Sequence, residues 1–395
     1  MAASSSLGRT LARRLALGVR RVDQAVGRLA GGRRVLVEAR TPLNLAVIRP
    51  VLDHLRSDTR IRLQFTGSDR ADLRAAFEEL GVAGSVIGRD EATWTRFDLY
   101  VNTDPWEAVA LRRVNRQLNF FHGVAGKYDL DCPADLPLGF DRYDAVAFPN
   151  GGRRDSYVAA GIVPADRARL IGYPKIDVLV NGRAGPRHQA RLGLDPARPT
   201  VIFAPTFSPA SALNHAGEAI IEALLAGGCN VIAKLHDRAL DPDPRYTGGV
   251  NWRERLGRYA GPHFLLAASG DSTPFVLASD VMVTDHSSIG FEFCVLDRPL
   301  VVYDAPGLIE TARINPEKVA LLHSAAAVVG DAAALADAVR EALVSPRTRA
   351  EQRARAANDV FYQPGGATAR ALQLVYELIE LPAAAVETAA GARAA

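Results

Sequence analysis

Short apolar segments alternate with helical segments along most of this chain, and this alternation constrains the fold more than any other feature. In residues 281–304, apolar residues 281–283 lead into the polar cluster 284–288, a helical stretch of about ten residues follows, and a second apolar segment begins at Pro299. Strands that alternate with helices form a parallel sheet covered by helices on both faces. The sequence therefore predicts an α/β fold, with ligand-binding groups in the loops at the carboxyl ends of the strands.

The alternation occurs in two halves, which predicts two Rossmann-like domains that face a central cleft. At 395 residues the chain is longer than one hydrophobic core usually supports. The composition changes to Gly, Arg and Pro at about residues 178–199, so we expect domains at 33–180 and 181–380. The Ala-rich, aperiodic tail at 381–395 is expected to be disordered.

The first 32 residues differ in composition from the rest. Residues 1–34 hold eight arginines and one acid, Asp23, and Leu or Val recurs at every third or fourth position. A helix with an apolar stripe flanked by arginines is typical of a segment that lies on an anionic membrane surface. A helix packed on the protein body and an organellar transit peptide are the alternative interpretations of residues 1–32.

Several functional classes are excluded by composition and motifs. The net charge of +3 gives no reason to expect a nucleic-acid partner, and no apolar run is long enough to span a bilayer. Cys132, Cys229 and Cys294 have no paired spacing, which argues against a disulfide framework or a zinc site. The absence of P-loop and dinucleotide-fingerprint motifs argues against a kinase-type ATPase or a nicotinamide enzyme, and the absence of an HExxH motif and of an acidic cluster at metal-ligand spacing argues against a catalytic metal. We therefore expect a transfer reaction without a metal or cofactor.

The polar cluster 284–288 predicts an anion site. Ser287 or Ser288 is placed to cap the following helix, whose first turn offers free backbone N–H groups and the positive end of the helix dipole. Because this turn holds no Lys or Arg, we expect a phosphate to be held mainly by backbone and hydroxyl donors. The simpler alternative is that these residues only cap a helix.

Two other strand ends carry candidate functional side chains. His122 follows an apolar strand and precedes two glycines, Gly123 and Gly126, that allow a ligand to approach closely. A neutral imidazole can accept the proton of an attacking hydroxyl, so His122 is a candidate general base. Lys234 and His236 end another strand, where alternation puts both side chains on the same side and within reach of one ligand oxygen. The alternative for this pair is two surface residues at a strand end.

Taken in order, these motifs resemble the CDP-glycerol glycerophosphotransferase family over roughly residues 34–375. The matching segments are Phe120-Phe-His-Gly-Val-Ala-Gly-Lys127, Gly172-Tyr-Pro-Lys-Ile-Asp177, Ala204-Pro-Thr206, Lys234-Leu-His236 and Thr284-Asp-His-Ser-Ser288 with Phe291-Glu-Phe293. The resemblance implies the two-domain glycosyltransferase B fold, with an N-terminal acceptor domain and a C-terminal domain that binds the cytidine nucleotide. It also implies attack of a hydroxyl on the distal phosphorus of the donor, with release of CMP.

The resemblance also implies roles for individual residues. His122 matches the proposed base, and His236 is the second catalytic candidate. Gly123 and Lys127 are candidates for the acceptor site. The residues expected to bind the donor are Lys234, Thr206, Thr284, Asp285, Ser287, Ser288 and Glu292, of which Glu292 would hold a ribose or polyol hydroxyl.

Three positions depart from the family pattern. His286 replaces a more usual aromatic residue, Asp237 replaces an expected proline, and Lys175 stands where Arg is often found. These departures leave the transferred group open among glycerol phosphate, ribitol phosphate and another polyol phosphate.

The resulting expectation is a peripheral enzyme at the cytoplasmic face of the cell membrane. It would transfer a polyol phosphate from a CDP-activated donor, CDP-glycerol first among them, to a lipid-linked or glycan acceptor in the synthesis of a teichoic-acid-like or capsular polymer. A UDP-sugar glycosyltransferase or 2-epimerase of the same fold is the enzymatic alternative. A membrane-attached scaffold without catalysis is the other.

Overall fold

The computed structural model describes residues 32–104, 108–124, 126–131, 139–182, 186–267 and 270–383, together with Val22. The predicted membrane-surface helix at 1–32 and the predicted disordered tail at 381–395 therefore lie almost entirely outside the described residues, and both stay predictions.

The first half of the chain forms a parallel sheet. Its strands are β1 (Arg33–Ala39), β2 (Ile61–Gly67), β3 (Phe97–Asn102), β4 (Val114–Phe120), β5 (Ala145–Phe148) and β6 (Ala168–Leu170). Among the described residues their spatial order is β2-β1-β3-β4-β5-β6, and the paired strands are parallel. The central strand β3 is buried along its whole length, as expected for a sheet covered on both faces.

Helices connect the strands of this half. They are α1 (Pro42–Ser57), α2 (Ala71–Glu79), α3 (Arg89–Trp94), α4 (Gly151–Ala159) and α5 (Pro174–Asn181). Proline occupies the first position of α1 and of α5, where its missing N–H costs no hydrogen bond and its fixed φ suits a helix start.

The second half repeats this architecture. Its strands are β7 (Thr200–Ala204), β8 (Asn230–Ala233), β9 (Phe264–Leu266), β10 (Val281–Thr284), β11 (Leu300–Tyr303) and β12 (Ala327–Val329). In the described part of the chain they lie in the order β12-β11-β10-β7-β8-β9 and pair in parallel. The two parallel sheets confirm the predicted α/β class.

Eleven helices of the second half are described. They are α6 (Pro186–Arg191), α7 (Ala212–Ala226), α8 (Pro244–Thr247), α9 (Trp252–Gly257), α10 (Thr273–Ala278), α11 (Ser288–Cys294), α12 (Pro306–Thr311), α13 (Pro316–Ala325), α14 (Ala332–Val344), α15 (Ala350–Val360) and α16 (Ala367–Leu378). None of the described helices is both long and apolar enough to cross a lipid bilayer.

Two details of the first sheet differ from the sequence prediction. The apolar residues at 86–87 form no strand of the sheet: the chain makes a 3₁₀ turn at Ala83–Ser85 and one bridge, between Phe65 and Val86. The apolar run there is too short to sustain a ladder. Strand β6 was not predicted, because as a partly exposed edge strand it carries Arg169 in place of a continuous apolar run.

One apolar cluster extends through both halves and fixes how they meet. Ile176 on α5 and Val276 on α10 are both buried in it, as are residues of both sheets. Helix α16 then returns to the first half, where the Tyr376 hydroxyl donates to Asp58 at 2.8 Å and Arg169 pairs with Glu377 at 2.6 Å. Helix α16 belongs to the predicted second domain, 181–380, but contacts the sheet of the predicted first domain, 33–180. Both domain limits therefore remain predictions.

The return of α16 depends on a buried carboxylate of α5. Asp177 accepts hydrogen bonds from the backbone N–H groups of Gly365 at 2.8 Å, Ala367 at 3.2 Å and Thr368 at 2.5 Å. These are N–H groups at the start of a helix, which have no partner within the helix itself. The negative charge also interacts favourably with the positive end of the helix dipole.

We expect Asp177→Asn to lower the free energy of unfolding by about 1–3 kcal/mol, because the amide removes the charge and one acceptor oxygen. Chemical denaturation measures this change. The matched control is Asp166→Asn at an exposed position of the same half. Equal stability of the two variants would contradict the proposed role of Asp177.

Candidate active site

A cleft of about 630 Å³ lies between the two halves, a size within the range of roughly 300–1,000 Å³ that is usual for small-ligand pockets. Loops that follow strands of both sheets line it. The lining includes Arg40, Thr103, Asp104, His122, Gly123, Lys127, Lys175, Thr206, Phe207, Lys234, His236, Arg238, Ser287, Ser288, Glu292 and Arg313.

The strand order explains why the cleft lies there. In the first sheet the order reverses between β1 and β3, and in the second it reverses between β7 and β10. Adjacent loops run in opposite directions from such a switch point and leave a crevice at the carboxyl ends of the strands. Arg40 and Thr103 follow the first pair of strands, and Thr206 and Ser287 follow the second pair. The cleft is thus formed by two switch points that face each other.

His122 is held in a tautomer that suits a proton acceptor. Its Nδ1 lies against the carbonyl oxygen of Thr103, which can only accept, so the ring proton is on Nδ1. This assignment leaves the lone pair of Nε2 for another proton. Burial lowers the pKa of His122 below its ordinary value of 6.5, although the nearby charge of Asp104 opposes the shift. The imidazole is therefore neutral near pH 7.

His236 has the opposite tautomer. Its Nδ1 accepts the backbone N–H of Arg238 at 3.1 Å, which places the ring proton on Nε2. The ring packs against Phe207 with a centroid separation of 4.4 Å. Burial, together with the charges of Lys234 and Arg238, lowers the pKa of His236 to about 3. His236 is therefore a neutral hydrogen-bond donor through Nε2, while His122 is a neutral acceptor.

A buried ion pair joins the two halves at the cleft. Lys175 on α5 donates to a carboxylate oxygen of Glu292 on α11 at 2.6 Å, and both side chains are about 5% exposed. Glu292 was predicted to hold a ribose or polyol hydroxyl, and the structure adds that one of its oxygens is already bound to Lys175.

Lys234, a predicted donor-binding residue, donates to the carbonyl of Leu235 at 2.8 Å. Burial lowers the pKa of Lys234 below its ordinary value of 10.5.

A second polar contact also crosses the cleft. Lys127, in the loop after β4, donates to the hydroxyl of Thr206, in the loop after β7, at 2.8 Å. Burial lowers the pKa of Lys127 to about 8, while the charge of Asp285 opposes the shift. The predicted acceptor-side lysine and the predicted donor-side threonine are thus direct neighbours.

Most of the residues predicted from the sequence lie together in this cleft, and two do not. The residues brought together are His122, Gly123, Lys127, Thr206, Lys234, His236, Ser287, Ser288 and Glu292. Thr284 is fully buried and donates to the carbonyl of Ala204 at 2.6 Å. Asp285 is also fully buried, and its carboxylate accepts the N–H groups of Thr206 at 2.9 Å and Ala212 at 3.2 Å. Both side chains hold the end of β7 and the segment that follows it, and their direct contact with the donor stays a prediction.

Sequence reasoning missed several charged residues of the lining. Arg40 is the first residue after β1 and Asp104 the second after β3, and a guanidinium nitrogen of Arg40 lies 3.6 Å from a carboxylate oxygen of Asp104. The rule that located His122 could therefore have located them too. Lys175 was noted only as a departure from a motif. Arg238 and Arg313 lie beyond strand ends, where no sequence signal marks them.

A family model and a curated relative match this chain by sequence. Residues 106–377 match the family model described as CDP-glycerol:poly(glycerophosphate) glycerophosphotransferase. A teichoic acid glycerol-phosphate transferase of Staphylococcus aureus (strain NCTC 8325 / PS 47) is 28% identical over 170 residues, which are 41% of this chain and 41% of that protein. The match thus spans less than half of the curated relative.

Solved structures share the fold at low identity. A variant of the wall teichoic acid polymerase TagF soaked with CDPG gives a TM-score of 0.64 at 15% identity, covering 95% of this chain and 98% of that one. The S. aureus MnaA-UDP co-structure gives 0.57 at 12% identity, covering 89% of this chain and 98% of that one. These similarities support the two-domain architecture that the sequence predicted.

Lys127→Met tests the electrostatics of this cleft without a ligand. Between pH 8 and 10.5 the unfolded chain keeps a proton that folded Lys127 has released, so this site makes the free energy of unfolding rise with pH across that window. We expect wild type to gain about 1–3 kcal/mol relative to Lys127→Met between pH 7 and pH 10.

Denaturant titrations at both pH values measure that difference. Lys318→Met is the matched control, because Lys318 lies outside the cleft and pairs with Asp359. Parallel pH profiles for wild type and Lys127→Met would show that Lys127 keeps an ordinary pKa.

Proposed function

Because the chain belongs to the CDP-glycerol:poly(glycerophosphate) glycerophosphotransferase family, we propose that it transfers glycerol phosphate from CDP-glycerol to an acceptor hydroxyl and releases CMP. The observation that carries this proposal is the presence of two neutral imidazoles in one cleft: Nε2 of His122 can accept a proton and Nε2 of His236 can donate a hydrogen bond. A phosphoryl-type transfer uses both functions. The acceptor hydroxyl must lose a proton, and the charge on the phosphate oxygens must be stabilised.

The donor is proposed to lie on the second half of the cleft. Lys234 supplies positive charge, His236 supplies an N–H donor, and Ser287 and Ser288 supply hydroxyl and backbone donors at the start of α11. Donors at a helix start and a cation are both suited to a diphosphate. Thr206 lines the same cleft and accepts a hydrogen bond from Lys127.

The reaction is proposed to proceed by direct displacement. The acceptor oxygen forms a bond to the phosphorus that carries the glycerol, and the bond from that phosphorus to the bridging oxygen breaks. The electron pair of the broken bond leaves with CMP, and the proton of the acceptor hydroxyl passes to Nε2 of His122. His236 and Lys234 stabilise the negative charge that develops on the phosphate oxygens.

The acceptor is proposed to approach from the first half of the cleft. His122, Gly123 and Lys127 lie in one loop there, and Gly123 has a φ of 84°, a left-handed conformation that favours glycine. The family membership and the Arg-rich first 32 residues together support a lipid-linked or glycan acceptor at the cytoplasmic face of the membrane. The product would be a teichoic-acid-like or capsular polymer.

A donor screen tests the proposed activity. The chain is incubated with CDP-glycerol, CDP-ribitol or UDP-N-acetylglucosamine in the presence of a membrane lipid extract that supplies acceptors. For each donor, the midpoint of thermal unfolding and the release of nucleotide are measured. We expect stabilisation and CMP release with CDP-glycerol, because a ligand that binds only the folded state stabilises it by mass action. A response confined to CDP-ribitol would identify ribitol phosphate as the transferred group. A response confined to the UDP-sugar would favour the glycosyltransferase or 2-epimerase alternative. Binding without turnover of any donor would favour the scaffold.

His122→Ala tests the proposed base. We expect turnover to fall by about 100- to 1,000-fold with donor affinity nearly unchanged, because the base acts on the acceptor proton and not on the donor. Initial rates and the donor Michaelis constant separate these effects. His54→Ala, at an exposed position on α1 of the same half, is the matched control. Weaker donor binding with normal turnover would assign His122 to binding instead.

Deletion of residues 1–30 tests the proposed membrane location. We expect the full chain to sediment with vesicles that contain anionic lipid and the truncated chain to stay in the supernatant, because the arginines are lost with the apolar stripe. Neutral vesicles serve as the control. Undiminished binding by the truncated chain would place membrane contact elsewhere.

A further inference from the structure

A cluster of two histidines and one aspartate lies outside the catalytic cleft. His286 follows β10, Asp304 follows the adjacent strand β11, and His323 lies on α13. The three offer ligand atoms that all lie within 4.8 Å of one another. None of them lines the cleft. The transfer reaction proposed above therefore leaves this cluster without a role.

The histidines of the cluster have unsatisfied polar atoms. His286 is 2% exposed, and neither of its ring nitrogens has a hydrogen-bond partner among the described residues; the same holds for Nε2 of His323. A buried polar atom without a partner costs about 1–3 kcal/mol, so a native structure rarely leaves two histidines in this state without a reason.

We propose that His286, Asp304 and His323 bind a divalent transition-metal ion of the Zn²⁺ type. The Nε2 of His286 and the Oδ1 of Asp304 lie 3.6 Å apart, slightly beyond hydrogen-bonding distance. Tetrahedral Zn²⁺ has ligand bonds of about 2.0–2.2 Å, so two of its ligand atoms lie roughly 3.3–3.6 Å from each other. Two imidazoles and one carboxylate are a ligand set that suits this ion.

Tight packing of α13 against α11 holds His323 in place. A Cβ atom added at Gly290 of α11 would lie only 3.0 Å from Leu322, the buried neighbour of His323 on α13. Asp304 is 43% exposed on its side chain, which leaves a route for the ion and a place for water as a fourth ligand. The ion would join the ends of β10 and β11 to α13, directly behind the turn that carries Ser287.

The sequence alone could not indicate this site. Its three residues are spaced by 18 and 19 positions, which matches no local ligand motif. The sequence led us to expect a reaction without a metal, and the proposed ion is compatible with that expectation, because it lies outside the cleft and would stabilise structure.

Metal binding by the full chain without an affinity tag tests the proposal. After chelator treatment and removal of the chelator, the chain is loaded with Zn²⁺, unbound ion is removed and the bound Zn²⁺ is measured by mass spectrometry; Co²⁺ is titrated into a second stripped sample as a spectroscopic probe. We expect one ion per chain, a tetrahedral Co²⁺ ligand-field spectrum and a higher thermal midpoint with Zn²⁺, since the ion binds the folded state. Affinity should fall more than roughly tenfold in His323→Gln and in Asp304→Asn.

The matched control is His215→Gln, at an exposed histidine on α7 in the same half. It should bind like wild type. His286→Gln is avoided as the sole test because its side chain is buried, whereas His323 and Asp304 are partly exposed. Absence of stoichiometric Zn²⁺ or Co²⁺ in wild type would overturn the proposal, and so would wild-type affinity in both His323→Gln and Asp304→Asn.

Discussion

The buried carboxylate of Asp285 is the interaction on which the donor side of the cleft depends. A buried charge costs several kcal/mol unless polar partners compensate it, and here the backbone N–H groups of Thr206 and Ala212 do so. Thr206 lies in the loop after β7 and Ala212 begins α7, while Asp285 follows β10. One side chain therefore joins the loops on both sides of a topological switch point. Ser287 and Thr206 can then present their polar atoms to the same ligand.

Two polar contacts between residues that line the cleft also join the halves. Lys175 forms an ion pair with Glu292 in the wall of the cleft. Lys127, in the loop after β4, donates a hydrogen bond to Thr206, in the loop after β7. The first contact neutralises a charge on each half. The second leaves an ammonium group between the proposed acceptor and donor positions. A diphosphate would thus meet positive charge from both halves, which is the electrostatic requirement of phosphoryl-type transfer without covalent chemistry by the protein.

The sequence predicted the fold and the neighbourhood of the site, since periodicity identifies strands and ligand groups gather at their carboxyl ends. This rule led to the predictions for His122, Lys234 and His236, and all three line the cleft. It did not separate Thr284 and Asp285 from the residues that line the cleft, because successive residues at a strand end point in different directions and only some reach the cleft. The pairing of Lys175 with Glu292 joins residues 117 positions apart and depends on how the halves dock, which no local pattern encodes.

The central claim is that one cleft holds the diphosphate of CDP-glycerol on the second half, with the imidazole of His122 opposite it. The structure of the complex with CDP-glycerol tests this claim most directly. We expect the diphosphate oxygens within hydrogen-bonding distance of Lys234, His236 and the Ser287 turn, and the glycerol-bearing phosphorus on the side that faces Nε2 of His122. A donor bound with its diphosphate away from those groups, or with His122 separated from the phosphorus by the protein, would contradict the account.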